Sequence, residues 1–194
     1  MTTRDAQAPA DAQFIGRWSP RAVHGEALRH AHVMTLIEAA RWAPSCFNSQ
    51  PWRFVYATKD SEHWPAMLSL LMDMNQAWAQ HAGALIAVVS RNTFQGNDAP
   101  APTHSFDTGA AWMSMALQAQ SMGLASHAMW GIEHNDIPTA LNLPDNMQIQ
   151  AMVAVGAVGN KADLPEPLQE REQPSSRKAL SELAFAGRMP DGVE

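Results

Sequence analysis

The 194-residue chain has the length and the 46% hydrophobic content of one globular domain with a full-sized core. Its 13 basic and 19 acidic residues give a net charge of −6, and the absence of Lys or Arg runs argues against nucleic acid as a partner. The apolar runs are too short to cross a bilayer, so we expect no membrane span. Because the single cysteine, Cys46, cannot form an internal disulfide and the first residues lack the apolar core of a secretion signal, we expect a cytoplasmic protein.

The first half of the chain predicts a mixture of helices and strands. Residues 1–14 are polar and rich in Ala and Pro, so we predict a disordered segment followed by a single domain over residues 15–194. Apolar residues recur at helical spacing over residues 32–43 and predict a helix that ends before Pro44. The next predicted elements are a strand over residues 53–58, a helix within residues 61–78 and a buried strand over residues 84–90.

The second half begins with residues 91–106, which contain Gly, Pro, Asn and Asp without periodicity and therefore predict a long loop. A helix follows over residues 107–123, with Asp107 as its cap and Gly123 as its end. This helix is apolar nearly all round, which predicts a core or subunit-interface position. The remaining predicted elements are strands over residues 126–132 and 147–159 and short helices over residues 136–143 and 177–186.

Several motifs that would indicate other chemistry are incomplete. The stretch GNKAD resembles a guanine-reading motif, but the chain has no phosphate-binding loop to accompany it. Neither a hydrolase nucleophile motif nor a dinucleotide-binding glycine motif is present. The eight histidines lack metal-ligand spacing, so we predict no metal site. Cys46 is either an activated nucleophile or, as the absence of a signalled histidine partner favours, a small filler in a loop.

Three polar residues alternate in the stretch RWSPR. If this segment is extended, Arg17, Ser19 and Arg21 face the same way and present two guanidinium groups and a hydroxyl, which suits a phosphate. The alternative is that they are solvated surface charges before a helix. Spacing alone favours that second interpretation.

The longer stretch EAARWAPSCFNSQPWRFVYAT, with RWSPR upstream, resembles the most recognisable segment of the nitroreductase family of FMN-dependent oxidoreductases. The likeness extends through DTGAAWMSMALQAQSMGLAS to a basic residue near the C-terminus. It implies an α+β nitroreductase-like fold, with a central, mainly antiparallel sheet flanked by helices. It also implies an intertwined homodimer with two FMN sites at the interface, each lined by both subunits.

The resemblance assigns cofactor-binding positions to this chain. Arg17 and Arg21 would contact the phosphate and ribityl end of FMN, and Arg177 would complete the phosphate site. Pro44 to Asn48 would run beside the flavin ring of the partner subunit, and Asn75 would face the pyrimidine edge of the ring. The full set of implied FMN-binding residues is Arg17, Trp18, Ser19, Arg21, Pro44, Ser45, Cys46, Asn48, Asn75, Trp130, Gly131 and Arg177.

Four positions depart from the family pattern. Trp18 stands where members commonly have a basic or histidine residue, and Trp130 where they have an acidic one. Trp78 replaces a frequent lysine, and Ser175 replaces a second basic residue. Fewer cations near the ring would stabilise the anionic reduced flavin less and shift its potential.

The activity implied by the resemblance is electron transfer from NAD(P)H through flavin N5 to flat acceptors such as nitroaromatics or quinones, with a ping-pong mechanism and no catalytic acid or base. We expect Trp18, Phe47, Trp130 and the loop over residues 91–106 to shape a stacking pocket for those substrates. The alternatives are a flavin-binding protein of the same fold with little or no turnover, and a specialised flavin enzyme.

Overall fold

The computed structural model describes residue 4 and residues 6–192. Within these residues the helices are α1 (Ala12–Gly16), α2 (His30–Arg41), α3 (Trp64–Ser69), α4 (Asp73–Ala79), α5 (His104–Ser121), α6 (Ile137–Ala140) and α7 (Glu166–Gln169). The strands are β1 (Val23–His24), β2 (Trp52–Thr58), β3 (Ala84–Arg91), β4 (Leu124–Met129) and β5 (Met147–Val158). No helix in this part of the chain is both long and apolar enough to cross a membrane.

The five strands form one antiparallel sheet around β5. Strand β3 pairs with β5 on one side and with β2 on the other, and β4 pairs with the opposite edge of β5. The two-residue strand β1 pairs with the C-terminal end of β5, where Val23 lies opposite Val158. The predicted α+β fold, with an antiparallel sheet flanked by helices, is confirmed.

Both faces of the sheet are covered, and β3 contributes to both hydrophobic cores. Leu85 and Val89 pack in the core that includes residues of α3 and α4. Ile86 and Val88, which point the other way, pack in the core beneath α2 and α5. A strand buried on both faces is expected to be a continuous apolar run, and this explains the sequence ALIAVVS.

Several observed elements begin or end a few residues from their predicted bounds, and the largest differences occur in three places. Helix α5 begins at His104 rather than at Asp107, so Asp107 lies in the first turn and is not the cap. The single helix predicted within residues 61–78 is divided into α3 and α4, because Leu71 between them pairs with Ile132 as an isolated bridge. The predicted helix over residues 177–186 is absent from the described residues except for a short 3₁₀ turn at Leu180–Glu182, since most of this exposed tail has no core to bury against.

The start of the chain contains more structure than its composition indicates. Helix α1 includes residues 12–14, and Asp11 caps it by accepting the N–H of Gln13. The backbone N–H of Leu180 also donates to the side chain of Gln7. Residues 1–3 and 5 lie outside the described residues, and disorder over residues 1–14 stays a prediction.

Gly83 is expected to be intolerant of substitution because the backbone of another segment approaches it closely. A Cβ atom at Gly83 would lie 2.6 Å from the carbonyl oxygen of Glu26, whereas one at Gly16 would meet only the flexible Gln120 amide at 3.1 Å. We expect Gly83→Ala to lower the free energy of unfolding by about 1–3 kcal/mol. Gly16→Ala is the control and should change it by less than about 1 kcal/mol in urea titrations; equal effects would contradict this explanation.

Candidate functional site

A cavity of about 290 Å³ lies between the segment that precedes β1 and the tail that follows β5. Its lining residues are mostly basic or polar: Arg4, Arg17, Trp18, Ser19, Arg21, Arg171, Gln173, Ser175 and Arg177. None of the ion pairs within the described part of the chain involves these arginines. Guanidinium groups that converge without carboxylate partners suit a phosphate group.

The electrostatics of this arginine cavity agree with an anion site. Burial, with added repulsion from Arg177 and Arg4, lowers the pKa of Arg17. Burial and Arg177 likewise lower the pKa of Arg4. Repulsion between the arginines and the loss of hydration both raise the free energy of the protonated guanidinium groups. Attraction to a bound anion would offset these two costs.

Small hydroxyl side chains hold two of the guanidinium groups. The Nη1 atom of Arg17 donates to Ser19 Oγ at 3.2 Å. The Nη1 atom of Arg177 donates to Ser175 Oγ at 2.9 Å and to the Ser176 carbonyl at 2.9 Å. Ser175 thus orients Arg177 and adds no charge of its own.

His127 of β4 supports the cavity from behind. Its Nδ1 atom donates to the carbonyl oxygen of Pro20 at 3.1 Å, and its ring lies 4.9 Å from that of Trp78. Burial is the main cause that lowers the pKa of His127 to about 4, with Arg21 and Arg17 contributing in the same direction. The imidazole is therefore neutral at pH 7 and acts as a hydrogen-bond donor to the Arg17–Arg21 segment.

A second group of predicted residues lies in the loop between α2 and β2. Three of its non-glycine residues, Phe47, Asn48 and Gln50, have left-handed backbone conformations with φ of 51°, 54° and 46°. Such conformations each cost about 1 kcal/mol or more, so other contacts must hold the loop. Ser45 is one of these contacts, because its Oγ accepts the backbone N–H of Gln50 at 3.0 Å.

Asp107 is the other anchor of this loop. Its carboxylate is 4% exposed, and its Oδ2 atom accepts the backbone N–H of Cys46 and the hydroxyl of Thr103, both at 3.1 Å. The residue that the sequence presents as a helix cap therefore joins the start of α5 to the Pro44–Asn48 loop. Its position in the first turn also favours a negative charge.

Asn75 and Gly131 form a third group. The Asn75 amide donates to the Gly131 carbonyl at 2.9 Å, and its Oδ1 accepts the indole N–H of Trp78 at 3.3 Å. A Cβ at position 131 would lie 2.7 Å from the Asn75 Nδ2 atom, so a larger residue there would displace the Asn75 amide. Trp130 is 62% exposed, and its ring centroid lies 4.3 Å from that of His134.

A pocket of about 850 Å³ adjoins the Pro44–Asn48 loop on the side of the β3 to α5 connection. Phe47 is 91% exposed, and its ring meets that of Phe94 edge to face at 6.1 Å between centroids. Arg53 and several amide side chains complete the wall. The connection is held by an ion pair of 2.6 Å between Arg91 and Asp98.

The structure therefore brings some of the predicted residues together and keeps others apart. Arg17, Trp18, Ser19, Arg21 and Arg177 share the arginine cavity. Residues 17–21, which line this cavity, follow α1, and α1 packs near the C-terminal end of α5 at Gln120. The Pro44–Asn48 loop is attached near the N-terminal end of α5, at Asp107. These two points on α5 are about 20 Å apart along the helix axis.

Comparison with known proteins agrees with this geometry. The model of the nitroreductase family matches residues 15–157. The chain belongs to the nitroreductase family. It is thus an oxidoreductase by family, with the fold that the sequence predicted.

Individual relatives extend the match over the whole chain. The structure of an oxidoreductase containing FMN is 46% identical, with a TM-score of 0.93, and the alignment covers 98% of this chain and 99% of that one. A protein from Desulfovibrio desulfuricans in complex with FMN is 23% identical, with a TM-score of 0.71, over 95% of this chain and 100% of the other, and supports the fold alone. An uncharacterized 15.4 kDa protein in the ask 5′ region of Mycolicibacterium smegmatis is 34% identical over 62% of this chain and 81% of its own.

Sequence reasoning missed several residues of this nitroreductase-family site. Arg4 and Arg171 line the arginine cavity, His127 supports it, and Asp107 anchors the loop. One signal in the sequence indicates the second segment, because polar residues alternate there as they do at Arg17, Ser19 and Arg21. These residues, which also line the cavity, are Arg171, Gln173, Ser175 and Arg177.

No group of three or more potential metal ligands occurs among the described residues.

The buried histidine predicts a pH dependence of stability. Because the pKa of His127 is lowered from 6.5 to about 4 in the folded state, the unfolded chain takes up a proton between these values and the folded chain does not. The free energy of unfolding should therefore fall as the pH is lowered from about 6.5 to 4, by up to about 3 kcal/mol. Urea titrations at several pH values should show a smaller decrease for His127→Asn; an unchanged slope would exclude His127 as its source.

The anchoring role of Asp107 predicts a local effect. Asp107→Ala leaves the Cys46 N–H and the Thr103 hydroxyl without their acceptor and should cost about 1–3 kcal/mol of stability. Hydrogen exchange at the Cys46 amide should become faster, while Asp107→Asn should resemble the unmodified protein. Asp73→Ala, which removes an exposed acidic residue from the first turn of α4, serves as the control and should leave exchange at Cys46 unchanged.

Proposed function

We propose that this protein is an FMN-dependent oxidoreductase that passes electrons from NAD(P)H to flat acceptors such as nitroaromatics or quinones. The observation that carries the proposal is the arginine cavity, which several guanidinium groups line without carboxylate partners among the described residues. The 46% identical relative that contains FMN supports the same assignment.

The residues present fit an FMN molecule at both of its ends. Arg17, Arg21 and Arg177 would hold its phosphate through charge-assisted hydrogen bonds. Gly131, whose carbonyl oxygen accepts a hydrogen bond from the Asn75 amide, would offer its backbone N–H to the ring. When bound, FMN supplies two-electron transfer at its N5 atom.

We propose that the complete site needs two copies of the chain. Helix α1, which leads into the arginine cavity, and the Pro44–Asn48 loop contact α5 near its opposite ends, and a two-fold arrangement of two α5 helices would bring one end of each beside the other. The uncovered side of α5 supports this pairing. Phe106 is 82% exposed, and Met113 and Leu117, which follow at helical spacing, lie outside both described core clusters.

Two further surfaces favour an intertwined dimer. The outer edge of β2 is unpaired within the described chain and borders an apolar groove of about 870 Å³. The tail after β5 exposes Leu180, Leu183 and Met189. A partner subunit would cover apolar side chains that a single chain leaves in water.

The pocket beside Phe47 suits a flat substrate. Phe47 and Phe94 offer aromatic surface at the loop that would flank the flavin ring, and the Arg91–Asp98 ion pair fixes the loop that carries Phe94. The electron donor and the acceptor would occupy the same face of the flavin ring in turn, which gives ping-pong kinetics.

The single cysteine supports a reducing, cytoplasmic location.

A second candidate is a flavin-binding protein of this fold with little turnover. The observation that favours it concerns Trp78, which is 1% exposed and donates a hydrogen bond to Asn75. A tryptophan at this position provides no positive charge, whereas a lysine would. Without that charge, an anionic reduced ring would be less stabilised. A redox assay separates the two candidates.

The test is the visible spectrum of the purified protein after gel filtration, followed by NAD(P)H oxidation with menadione. We expect one FMN per subunit in a peak of dimer size, and steady oxidation of the nicotinamide. Arg17→Ala should weaken FMN binding about 10- to 100-fold, because a charge-assisted contact is lost. Arg188→Ala, an exposed arginine outside the cavity, is the control.

Bound FMN without nicotinamide oxidation would favour the flavin-binding alternative. Failure to take up added FMN would contradict the proposal itself.

A further inference from the structure

Glu172 is a buried carboxylate that the proposed reaction does not use. It is 7% exposed and lies between Arg171 and Gln173, whose side chains line the arginine cavity. None of the ion pairs within residue 4 and residues 6–192 includes it. A buried carboxylate without a cation must be stabilised by hydrogen bonds.

Those hydrogen bonds come from the backbone of the opposite wall. Glu172 Oε1 accepts the N–H of Arg21 at 2.9 Å and that of Ala22 at 2.8 Å, and Oε2 lies 3.1 Å from the Arg21 nitrogen. Hydrogen bonds to a carboxylate are stronger than those between neutral groups. Glu172 is therefore attached firmly to the segment that carries Arg17 and Arg21.

The arginine cavity has two walls from distant parts of the chain. The first wall is residues 17–21, and the second is residues 171–177, of which the odd-numbered members line the cavity. Glu172 points the other way and joins the second wall to the first. Across the described residues no other hydrogen bond connects these two walls.

The first wall is also fixed on its other side. His127 donates to the carbonyl oxygen of Pro20, while Glu172 accepts the N–H of the next residue, Arg21. The peptide between Pro20 and Arg21 is thus held at both of its polar atoms. The second wall, in contrast, has no hydrogen bond to residues 17–22 within the described chain except those that Glu172 accepts.

We propose that Glu172 is a positioning residue for the phosphate of FMN. It sets the second wall, with Arg171 and Arg177, at the distance from Arg17 and Arg21 at which the guanidinium groups converge on one anion. This inference rests on the proposed function, since it takes the phosphate of FMN as the anion.

The charge of Glu172 alone would have the opposite effect. A carboxylate near the cavity repels a phosphate, so its removal would strengthen FMN binding if only charge mattered. A positioning role predicts weaker binding instead. The sign of the change therefore distinguishes the two explanations.

The test compares the dissociation constants of FMN and riboflavin, which lacks the phosphate, for the dimeric protein and its variants. For Glu172→Ala we expect FMN binding to weaken about tenfold or more, with riboflavin binding changed less than about threefold. Glu172→Gln should bind FMN nearly as the unmodified protein does, because its amide oxygen can still accept both N–H groups. Glu170→Ala, an exposed neighbour outside the cavity, is the control.

A variant that keeps the charge completes the design and remains informative if Glu172→Ala fails to fold. Glu172→Asp preserves the carboxylate but shortens its reach, so we expect weaker FMN binding and unchanged riboflavin binding. The inference is overturned if Glu172→Ala and Glu172→Gln bind FMN more tightly, if Glu172→Asp has no effect, or if FMN and riboflavin weaken equally. An unmodified protein that does not prefer FMN to riboflavin would instead contradict the proposed function.

Discussion

The antiparallel pairing of β5 determines where the candidate site forms. Its C-terminal end pairs with β1, so the segment before β1 and the tail after β5 leave the sheet at the same place. The arginine cavity lies between these two segments. The pairing of β5 with β4 also places His127 opposite Ala154, behind the same cavity. One strand thus positions groups that lie more than a hundred residues apart in the chain.

Local patterns in the sequence predict those elements of the fold that depend on the spacing of neighbouring apolar residues. The helical spacing of α2 and the continuous apolar run of β3 depend on burial; β3 begins at its predicted residue, and α2 lies two residues before its predicted bounds. The alternation of Arg17, Ser19 and Arg21 indicates a shared direction, and these residues do line one cavity. Their role as phosphate ligands stays a prediction.

Residues whose partners are distant could not be assigned in this way. The sequence presents Asp107 as a helix cap, but in the structure it lies in the first turn of α5 and accepts a hydrogen bond from Cys46, which lies 61 residues away in the chain. In the sequence, nothing distinguishes Glu172 from the other acidic residues of the tail. Only the fold shows that its carboxylate accepts a hydrogen bond from the backbone of Arg21. The tail also contains good helix-forming residues over 177–186, yet propensity alone does not sustain a helix without a surface to pack against. In each case the deciding contact is tertiary.

The arginine cavity is positive within a chain of net charge −6, so the charge at the site opposes that of the whole protein. Burying these cations and grouping them together both cost free energy in the absence of an anion, as the lowered pKa of Arg17 indicates. Two buried carboxylates form no ion pair with these guanidinium groups: Asp107 lies at the other end of α5 and accepts the Cys46 N–H and the Thr103 hydroxyl, and Glu172 accepts the backbone N–H groups of Arg21 and Ala22. They order the backbone on which the proposed cofactor contacts stand, and they leave the guanidinium groups available. The arginines proposed to bind the phosphate and the carboxylates that hold the backbone are therefore different residues, with no ion pair between them in the described part of the chain.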